Sequence, residues 1–226
     1  MPLPQSIRSA VPTGVRDNAT LRAMALALGL IPPRPMHSPA EADLLAQLAG
    51  PGTRVVEIGV YEGSSAVVLC RAMAPSAELH LIDPFIDESG AALPPNWSAA
   101  PAATRLAVWR VARHEGPKTR WHIARSQDVG RRWAGGEVDF VFIDGDHSTQ
   151  GCREDWDVWS PHVRVGGAVA FHDARLEQPD GTGSPGPTGV VDELFRSPAP
   201  PAGWSIANEI DTLVVVRRDA QPPTAA

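Results

Sequence analysis

The sequence is poor in the residues that define several protein classes. It has two cysteines, one tyrosine and a single lysine, Lys118, among its 20 basic residues. Two cysteines, Cys70 and Cys152, cannot build the disulfide framework of a small secreted domain, so we expect a reducing, cytoplasmic environment. No run approaches the ~18 consecutive apolar residues that span a bilayer, which argues against a membrane protein. The apolar stretch Ala23–Ile31 runs into prolines and predicts a helix.

The charge balance and the length narrow the remaining classes. The 226 residues carry 26 acidic and 20 basic side chains, a net charge of −6. A dedicated nucleic-acid binder needs a basic surface to neutralise phosphates, so we expect no nucleic-acid partner. At about 150 residues per domain, the chain fits one large domain with appendages.

Short, continuous apolar runs alternate with helical segments along the chain. Such runs are typical of strands buried on both faces of a parallel sheet. The alternation predicts an α/β fold, namely a doubly wound, Rossmann-like, seven-stranded sheet that is mostly parallel, with helices on both faces and an antiparallel C-terminal strand pair. The predicted strands are Arg54–Val60, Leu79–Phe85, Arg120–Ala124, Val138–Asp144, Ala168–His172, Trp204–Ile210 and Thr212–Arg218. The predicted helices are Ser64–Ala74, Ala102–Glu115, Gln127–Trp133, Gln150–His162 and Gly189–Arg196.

Three regions fall outside this pattern. Residues 1–50 are predicted to form an N-terminal helical cap on a core of residues 51–219, and residues 220–226 a disordered tail. Insertions at residues 86–101 and 175–188 leave the carboxyl ends of strands. Ligands bind beyond those ends in such sheets, and long loops there are usually lids or binding loops. Trp97, in the first insertion, is a candidate to cover an acceptor.

The first two strand ends carry cofactor-binding signals. Glu57, Gly59 and Gly63 form an E-x-G-x-x-x-G turn, which would let a ligand approach the backbone before a helix capped by Ser64 or Ser65. An ordinary strand-to-helix turn is the alternative. Asp83 ends the second strand, where a carboxylate suits ribose hydroxyls, although it could equally cap a loop.

The later strand ends carry the polar groups. Ser126 and Gln127 follow the third strand and could contact an adenine. The fourth strand ends in Ile143-Asp144-Gly145-Asp146-His147-Ser148 and the fifth in His172-Asp173. Carboxylates from neighbouring strands suit an oxygen-ligated cation such as Mg²⁺ or Mn²⁺. His147 is the natural general base because an imidazole titrates near neutral pH.

Together these motifs resemble the class I S-adenosylmethionine-dependent methyltransferases, over roughly residues 50–218. Within that class the chain is similar to metal-dependent sugar and small-molecule O-methyltransferases whose fourth strand ends in IDGDHS. The resemblance implies an enzyme with S-adenosylmethionine as methyl donor. The cofactor residues that it implies are Glu57, Gly59, Gly63, Ser64, Asp83, Ser126, Gln127 and Asp144.

The same resemblance assigns a metal and a base. It implies Mg²⁺ or Mn²⁺ held by Asp144 and Asp173, with His172 at a position where many relatives carry an acidic ligand. Asp146 and His147 compete for the role of catalytic base.

The function expected is O-methylation of a hydroxyl on a saccharide, oligosaccharide or polar natural product, by a homodimer. A catechol or other aromatic polyol is an alternative acceptor. A metal-dependent hydrolase would leave Glu57 and Asp83 unexplained, and a non-catalytic cofactor-binding protein would not need Asp144, His147 and Asp173 together.

Overall fold

The computed structural model describes residues 18–86, 101–176 and 183–219. Seven strands form one sheet: β1 (Arg54–Ile58), β2 (Glu78–Ile82), β3 (Lys118–His122), β4 (Val138–Ile143), β5 (Val163–Phe171), β6 (Trp204–Ile210) and β7 (Leu213–Arg218). The helices are α1 (Ala19–Leu28), α2 (Pro39–Ala49), α3 (Ser64–Ala72), α4 (Pro101–Glu115), α5 (Ser126–Arg131), α6 (Thr149–Trp159) and α7 (Pro185–Phe195). A 3₁₀ turn, Ser160–His162, joins α6 to β5.

The strand order confirms the predicted fold class. The sheet runs β3-β2-β1-β4-β5-β7-β6. The first five strands in sequence pair in parallel, and β7 pairs antiparallel to both β5 and β6. The order reverses at β1, so the carboxyl ends of β1 and β4 lie side by side at the point where ligands bind in doubly wound sheets.

Both faces of the sheet are covered by apolar side chains. Alternate residues of one strand point to opposite faces, so Phe140 lies in one core cluster and its neighbour Val141 in the other. The first cluster is completed by side chains of α2, α3 and α4, among them Leu45 and Leu69. The second is completed by α6 and α7, where Trp159 is fully buried. The predicted helices on both faces are therefore present.

The starts of β5 and α7 differ most from the sequence prediction, and the other boundaries shift by at most about three residues. β5 begins at Val163, whereas the prediction began it at Ala168. The prediction started late because polar and glycine residues interrupt the apolar run in the exposed first half of the strand, where the pairing with β4 is also irregular. α7 begins at Pro185 rather than Gly189, with proline in its first turn, where the missing amide costs nothing. The second predicted insertion is therefore shorter than expected.

The cap of residues 18–50 comprises α1 and α2. α1 packs against α4 through Leu26, and Arg110 of α4 donates to the Leu26 carbonyl at 2.9 Å. Asn18 caps α1, and Ser38 with Glu41 forms a capping box at the start of α2. No helix within the described ranges is both long and apolar enough to cross a bilayer.

Candidate active site

The turn between β1 and α3 packs directly on the end of β4. Gly59 has φ +83°, and a Cβ at this position would overlap the carbonyl oxygen of Asp144. Gly63 has φ +87°, and its Cβ would lie 2.9 Å from Val108 Cγ2. Both positions therefore require glycine, for backbone conformation and for space.

The predicted capping of α3 by Ser64 or Ser65 is wrong. Gly63 is the N-cap residue, and it has no side chain with which to cap the helix. Ser64 Oγ instead lies 3.0 Å from His37 Nε2, while the Ser65 hydroxyl donates to Glu57. Both serines lie within the helix and their hydroxyls have partners elsewhere, so neither caps α3.

Glu57 is a buried carboxylate at the end of β1. Its side chain is fully buried, and Ser65 contacts only one of its oxygens. The other, Oε2, is buried without a hydrogen-bond partner among the described residues. Burial raises the pKa of Glu57 well above its usual value. The hydrogen bond from Ser65 lowers this pKa, whereas the nearby Asp144 and Asp83 raise it further. A buried oxygen without a partner is costly unless a ligand group pairs with it.

Asp83 holds two turns together at the end of β2. Its Oδ2 accepts from the Val60 and Tyr61 amides, each at 2.9 Å, and its Oδ1 accepts from the Phe85 amide at 2.6 Å. Burial raises the pKa of Asp83, while these three amides counteract the rise. Tyr61 and Phe85 both have φ 53°, the sparsely populated left-handed region. The carboxylate thus stabilises strained backbone beside the glycine turn.

The two acidic residues of the β4 motif, Asp144 and Asp146, make different contacts. Asp146 Oδ1 accepts from the Ser148 amide at 2.8 Å, while Ser148 Oγ caps α6 by accepting from the Gly151 amide at 3.0 Å. His147 does not cap the helix, because its Nε2 lies 3.3 Å from Asp144 Oδ1 and 3.8 Å from Asp173 Oδ2. The hydrogen bond with Asp144 raises the pKa of His147, against the effect of burial.

His172 and Asp173 complete the cluster from β5. The buried His172 ring places Nδ1 at 3.0 Å from Asp144 Oδ1 and at 3.5 Å from Asp173 Oδ2. Burial alone would lower the pKa of His172, but the charge of Asp144 and the surrounding carboxylates raise it to about 12. Burial would likewise raise the pKa of Asp144, yet His172 and His147 hold it at about 2. Asp173 itself has φ 52°, another strained position at a strand end.

Three of these residues bring potential metal ligands together. One atom each from Asp144, His147 and Asp173 lies within 4.8 Å of the other two. The sequence predicted Asp144 and Asp173 for a metal, with His172 as the third residue. In the structure the His172 nitrogens face carboxylates, whereas His147 supplies the third atom of the cluster.

Glu41 was missed in the sequence. Its Oε2 lies 3.5 Å from His172 Nε2, and its Oε1 accepts from Thr212 Oγ1 at 2.7 Å and from the Thr212 amide at 2.9 Å. Burial would raise the pKa of Glu41, but the nearby His172 ring and the hydrogen bonds from the Ser38 amide and Thr212 lower it to about 2. The S-x-x-E pattern of residues 38–41 reveals the capping box, but no local pattern reveals the contact with β5.

The cap also contacts the glycine turn. The buried Glu62 carboxylate forms an ion pair with Arg22 of α1 and accepts from the Arg34 amide at 2.9 Å. The cap therefore contacts the site at two places: His37 lies near Ser64 after β1, and Glu41 lies near His172 after β5.

Ser126 and Gln127 share a partner that was also missed in the sequence. Asp155 of α6 accepts from the Ser126 hydroxyl and from Gln127 Nε2 at 2.8 Å, both through Oδ1. Asp155 is buried, and burial raises its pKa to about 7 despite the Ser126 hydrogen bond. Trp97 lies outside the described residues.

Comparison with known proteins identifies the family. A family model described as "Methyltransferase domain" matches residues 56–174, more than half of the chain. The chain belongs to this methyltransferase family. The matched segment runs from β1 to the end of β5 and so contains the glycine turn, the β4 motif and His172-Asp173.

Solved structures share the fold over almost the full length. A protein from Corynebacterium glutamicum is 25% identical, with a TM-score of 0.61 and 96% of each chain covered. The O-methyltransferase TomG from Streptomyces achromogenes, involved in tomaymycin synthesis and solved with S-adenosylmethionine, is 20% identical, with a TM-score of 0.57 and 95% of each chain covered. An O-methyltransferase from Bacillus cereus, solved with S-adenosylhomocysteine, is 14% identical, with a TM-score of 0.55 and 94% and 96% covered.

The family match and the strand order confirm the prediction of an enzyme of the class I S-adenosylmethionine-dependent methyltransferases. The domain limits, the individual site residues, the homodimer, the cytoplasmic location and the absence of a nucleic-acid partner stay predictions.

Proposed function

We propose that the protein transfers a methyl group from S-adenosylmethionine to a hydroxyl of a saccharide or similar polar natural product, with the help of a divalent cation. One observation carries the proposal. Gly59 packs on the backbone of Asp144, so the glycine turn adjoins the cluster of Asp144, His147 and Asp173. A methyl donor on the turn and a hydroxyl at the cluster would thus be neighbours, as an in-line transfer requires.

The chain's residues fit the methyl donor. Buried and without a partner at Oε2, Glu57 can pair with a positively charged or N–H-bearing part of the ligand. Asp83 orders the turn on which the ribose would lie, and Gln127 stands at the end of β3 for the adenine. The bound donor supplies an activated methyl group on its sulfonium. The relatives solved with S-adenosylmethionine and S-adenosylhomocysteine support this assignment.

The acidic cluster fits a divalent cation. Carboxylates from Asp144 and Asp173 are hard oxygen ligands of the kind that Mg²⁺ and Mn²⁺ prefer, so these two residues would hold the cation and His147 would stand beside it. When bound, the cation would orient the acceptor hydroxyl and stabilise its developing negative charge. His172, which also contacts Glu41, lies against Asp144, and His172 and His147 together keep the Asp144 carboxylate ionised.

His147 is suited to take the hydroxyl proton. It contacts Asp144 and Asp173, which stabilise the imidazolium that forms, and its ring is more than a third exposed, with 42% of the side-chain surface accessible. Asp146 is less suited because Oδ1 of its carboxylate accepts the Ser148 amide at the start of α6.

The polar site favours a hydroxyl-rich acceptor. Carboxylates and imidazoles from β4 and β5 surround the place where an acceptor would approach the cluster. TomG, a relative from natural-product synthesis, supports a small-molecule acceptor. An aromatic polyol is the second candidate, since vicinal hydroxyls would reach the same cluster.

A methyl-transfer screen tests the proposal. The purified protein is incubated with methyl-labelled S-adenosylmethionine and panels of glycosides and of phenols, with and without EDTA. We expect label on glycosides, its loss after chelation, and its return with Mg²⁺ or Mn²⁺.

An Asp173→Asn variant should bind S-adenosylhomocysteine normally but lose the metal response, while Asp128→Asn, exposed on α5, is the matched control. Full turnover after exhaustive chelation would contradict the metal assignment, and labelling of phenols alone would contradict the saccharide.

A further inference from the structure

Asp155 is a buried carboxylate for which the proposed methyl transfer leaves no direct role. It projects from α6 with 1% of its surface exposed. Oδ1 receives hydrogen bonds from the Ser126 hydroxyl and the Gln127 side-chain amide. Oδ2 lies on the side of Gly145, whose Cβ, if present, would be 3.6 Å away. Asp155 therefore lies between the end of β3 and the residue that follows Asp144.

The surroundings hold this arrangement in place. Trp159, one turn further along α6, donates from Nε1 to the Ser126 carbonyl at 3.3 Å. The start of α5 is thus bonded to α6 by both a backbone and a side-chain contact. Burying a carboxylate costs free energy that only its hydrogen bonds can offset. An apolar residue would pack at this position without that cost, so the choice of Asp155 calls for an explanation beyond packing.

The hydrogen bonds fix the polarity of the Gln127 side chain. An amide has one donor end and one acceptor end, and Asp155 Oδ1, which already accepts from the Ser126 hydroxyl, can bind only the donor end. Because Nε2 is bonded to Asp155, Oε1 is the end left for a ligand. An oxygen in that place accepts a hydrogen bond from an exocyclic amine and repels a carbonyl.

We propose that Asp155 is a positioning residue that sets the orientation of Gln127 and thereby makes the site select adenine over a 6-oxopurine. The inference rests on the proposed function, because it assumes that Gln127 faces the nucleobase of the cofactor. The 6-amino group of adenine would donate to Gln127 Oε1. The 6-carbonyl of hypoxanthine would meet that same oxygen and be rejected.

Calorimetry with two ligands tests the inference. S-adenosylhomocysteine carries adenine, and its deaminated analogue S-inosylhomocysteine carries hypoxanthine. We expect the intact protein to bind the adenine ligand at least about tenfold more tightly, since one hydrogen bond is exchanged for a repulsive contact. The quantity compared among variants is the dissociation constant of S-inosylhomocysteine divided by that of S-adenosylhomocysteine.

Two substitutions of Asp155 should lower that ratio to different extents. Asp155→Leu removes the acceptor, frees the Gln127 amide to rotate, and should bring the ratio to within about threefold of one. Asp155→Asn has nearly the same shape but offers either a donor or an acceptor, so Gln127 can present either end and the ratio should fall to an intermediate value. Asp157→Leu, on the exposed side of the same helix, should leave the ratio unchanged.

The outcomes separate this inference from the proposed function. If Asp155→Leu and Asp155→Asn weaken both ligands equally, Asp155 is merely structural and the inference is overturned. A ratio near one in the intact protein overturns it as well. Should Asp155→Leu fail to fold, Asp155→Asn decides, and an unchanged ratio there counts against the inference. If the intact protein binds neither ligand, the proposed function itself fails and takes the inference with it.

Discussion

His172 Nδ1 lies 3.0 Å from Asp144 Oδ1, so a ring at the end of β5 is hydrogen-bonded to a carboxylate at the end of β4. The opposite nitrogen of the same ring lies 3.5 Å from Glu41 in the cap. One buried imidazole therefore connects the cap with the acidic cluster. Glu41 and Asp144 thus lie against opposite nitrogens of the same side chain.

Glu41→Gln should destabilise the protein most at neutral pH. The pKa of Glu41 falls from an ordinary 4.5 to about 2 in the folded state, so its stabilisation is fully present above pH 4.5 and is lost as the pH falls toward 2. Loss of charged hydrogen bonds should lower the free energy of unfolding by about 1–3 kcal/mol at pH 7. Urea denaturation of both proteins at pH 7 and pH 3 measures the difference, which should shrink at pH 3.

Asp43 provides the control for this experiment. It lies on α2 with Glu41 but is exposed. Asp43→Asn should change the free energy of unfolding by no more than about 0.5 kcal/mol at either pH. An equal loss in Glu41→Gln at both pH values would show that Glu41 contributes through its shape and not through its charge.

Gly59→Ala should disrupt the join between the glycine turn and β4. The new Cβ would overlap the Asp144 carbonyl, and the left-handed backbone alone costs an alanine about 1–3 kcal/mol. We expect a lower melting temperature and lost binding of S-adenosylhomocysteine. Gly189→Ala is the control because its Cβ would meet nothing within 4 Å, and alanine in that helix should stabilise by roughly 0.5–1 kcal/mol. Normal ligand binding by Gly59→Ala would contradict the close packing of Gly59 on Asp144.

The sequence predicted strand ends better than it predicted partners. The predicted ends of β1, β2 and β4 lie within about three residues of the observed ones, because a buried strand and a polar turn differ sharply in composition. The start of β5 was missed because an exposed, glycine-containing segment interrupts its pattern. Glu41 and Asp155 were missed because each pairs with a residue on a distant element, His172 or Ser126, and such contacts leave no periodicity in the sequence.

Asp83→Ala should weaken cofactor binding and also loosen the turn. The carboxylate accepts from three backbone amides around the predicted ribose position. Calorimetry with S-adenosylhomocysteine should show an affinity loss of ~1–3 kcal/mol, the usual cost of losing buried charged hydrogen bonds. Asp128→Asn, on the exposed surface of α5, should bind normally. Unchanged affinity in Asp83→Ala would remove Asp83 from the cofactor site.

His147→Ala should lower turnover by ~10²–10⁴-fold, the usual contribution of a positioned base, and leave S-adenosylhomocysteine affinity nearly unchanged. The base works only when neutral, so the rate should rise with pH through the pKa of His147. Its hydrogen bond to Asp144 raises that pKa, so we expect the acidic limb of the pH–rate profile to lie in the range of an imidazole and well above that of an aspartate. Asp146→Asn, which alters the neighbouring carboxylate without touching the imidazole, should keep this limb in place. A limb near pH 4 that disappears in Asp146→Asn would instead make Asp146 the base, because an unperturbed aspartate titrates there.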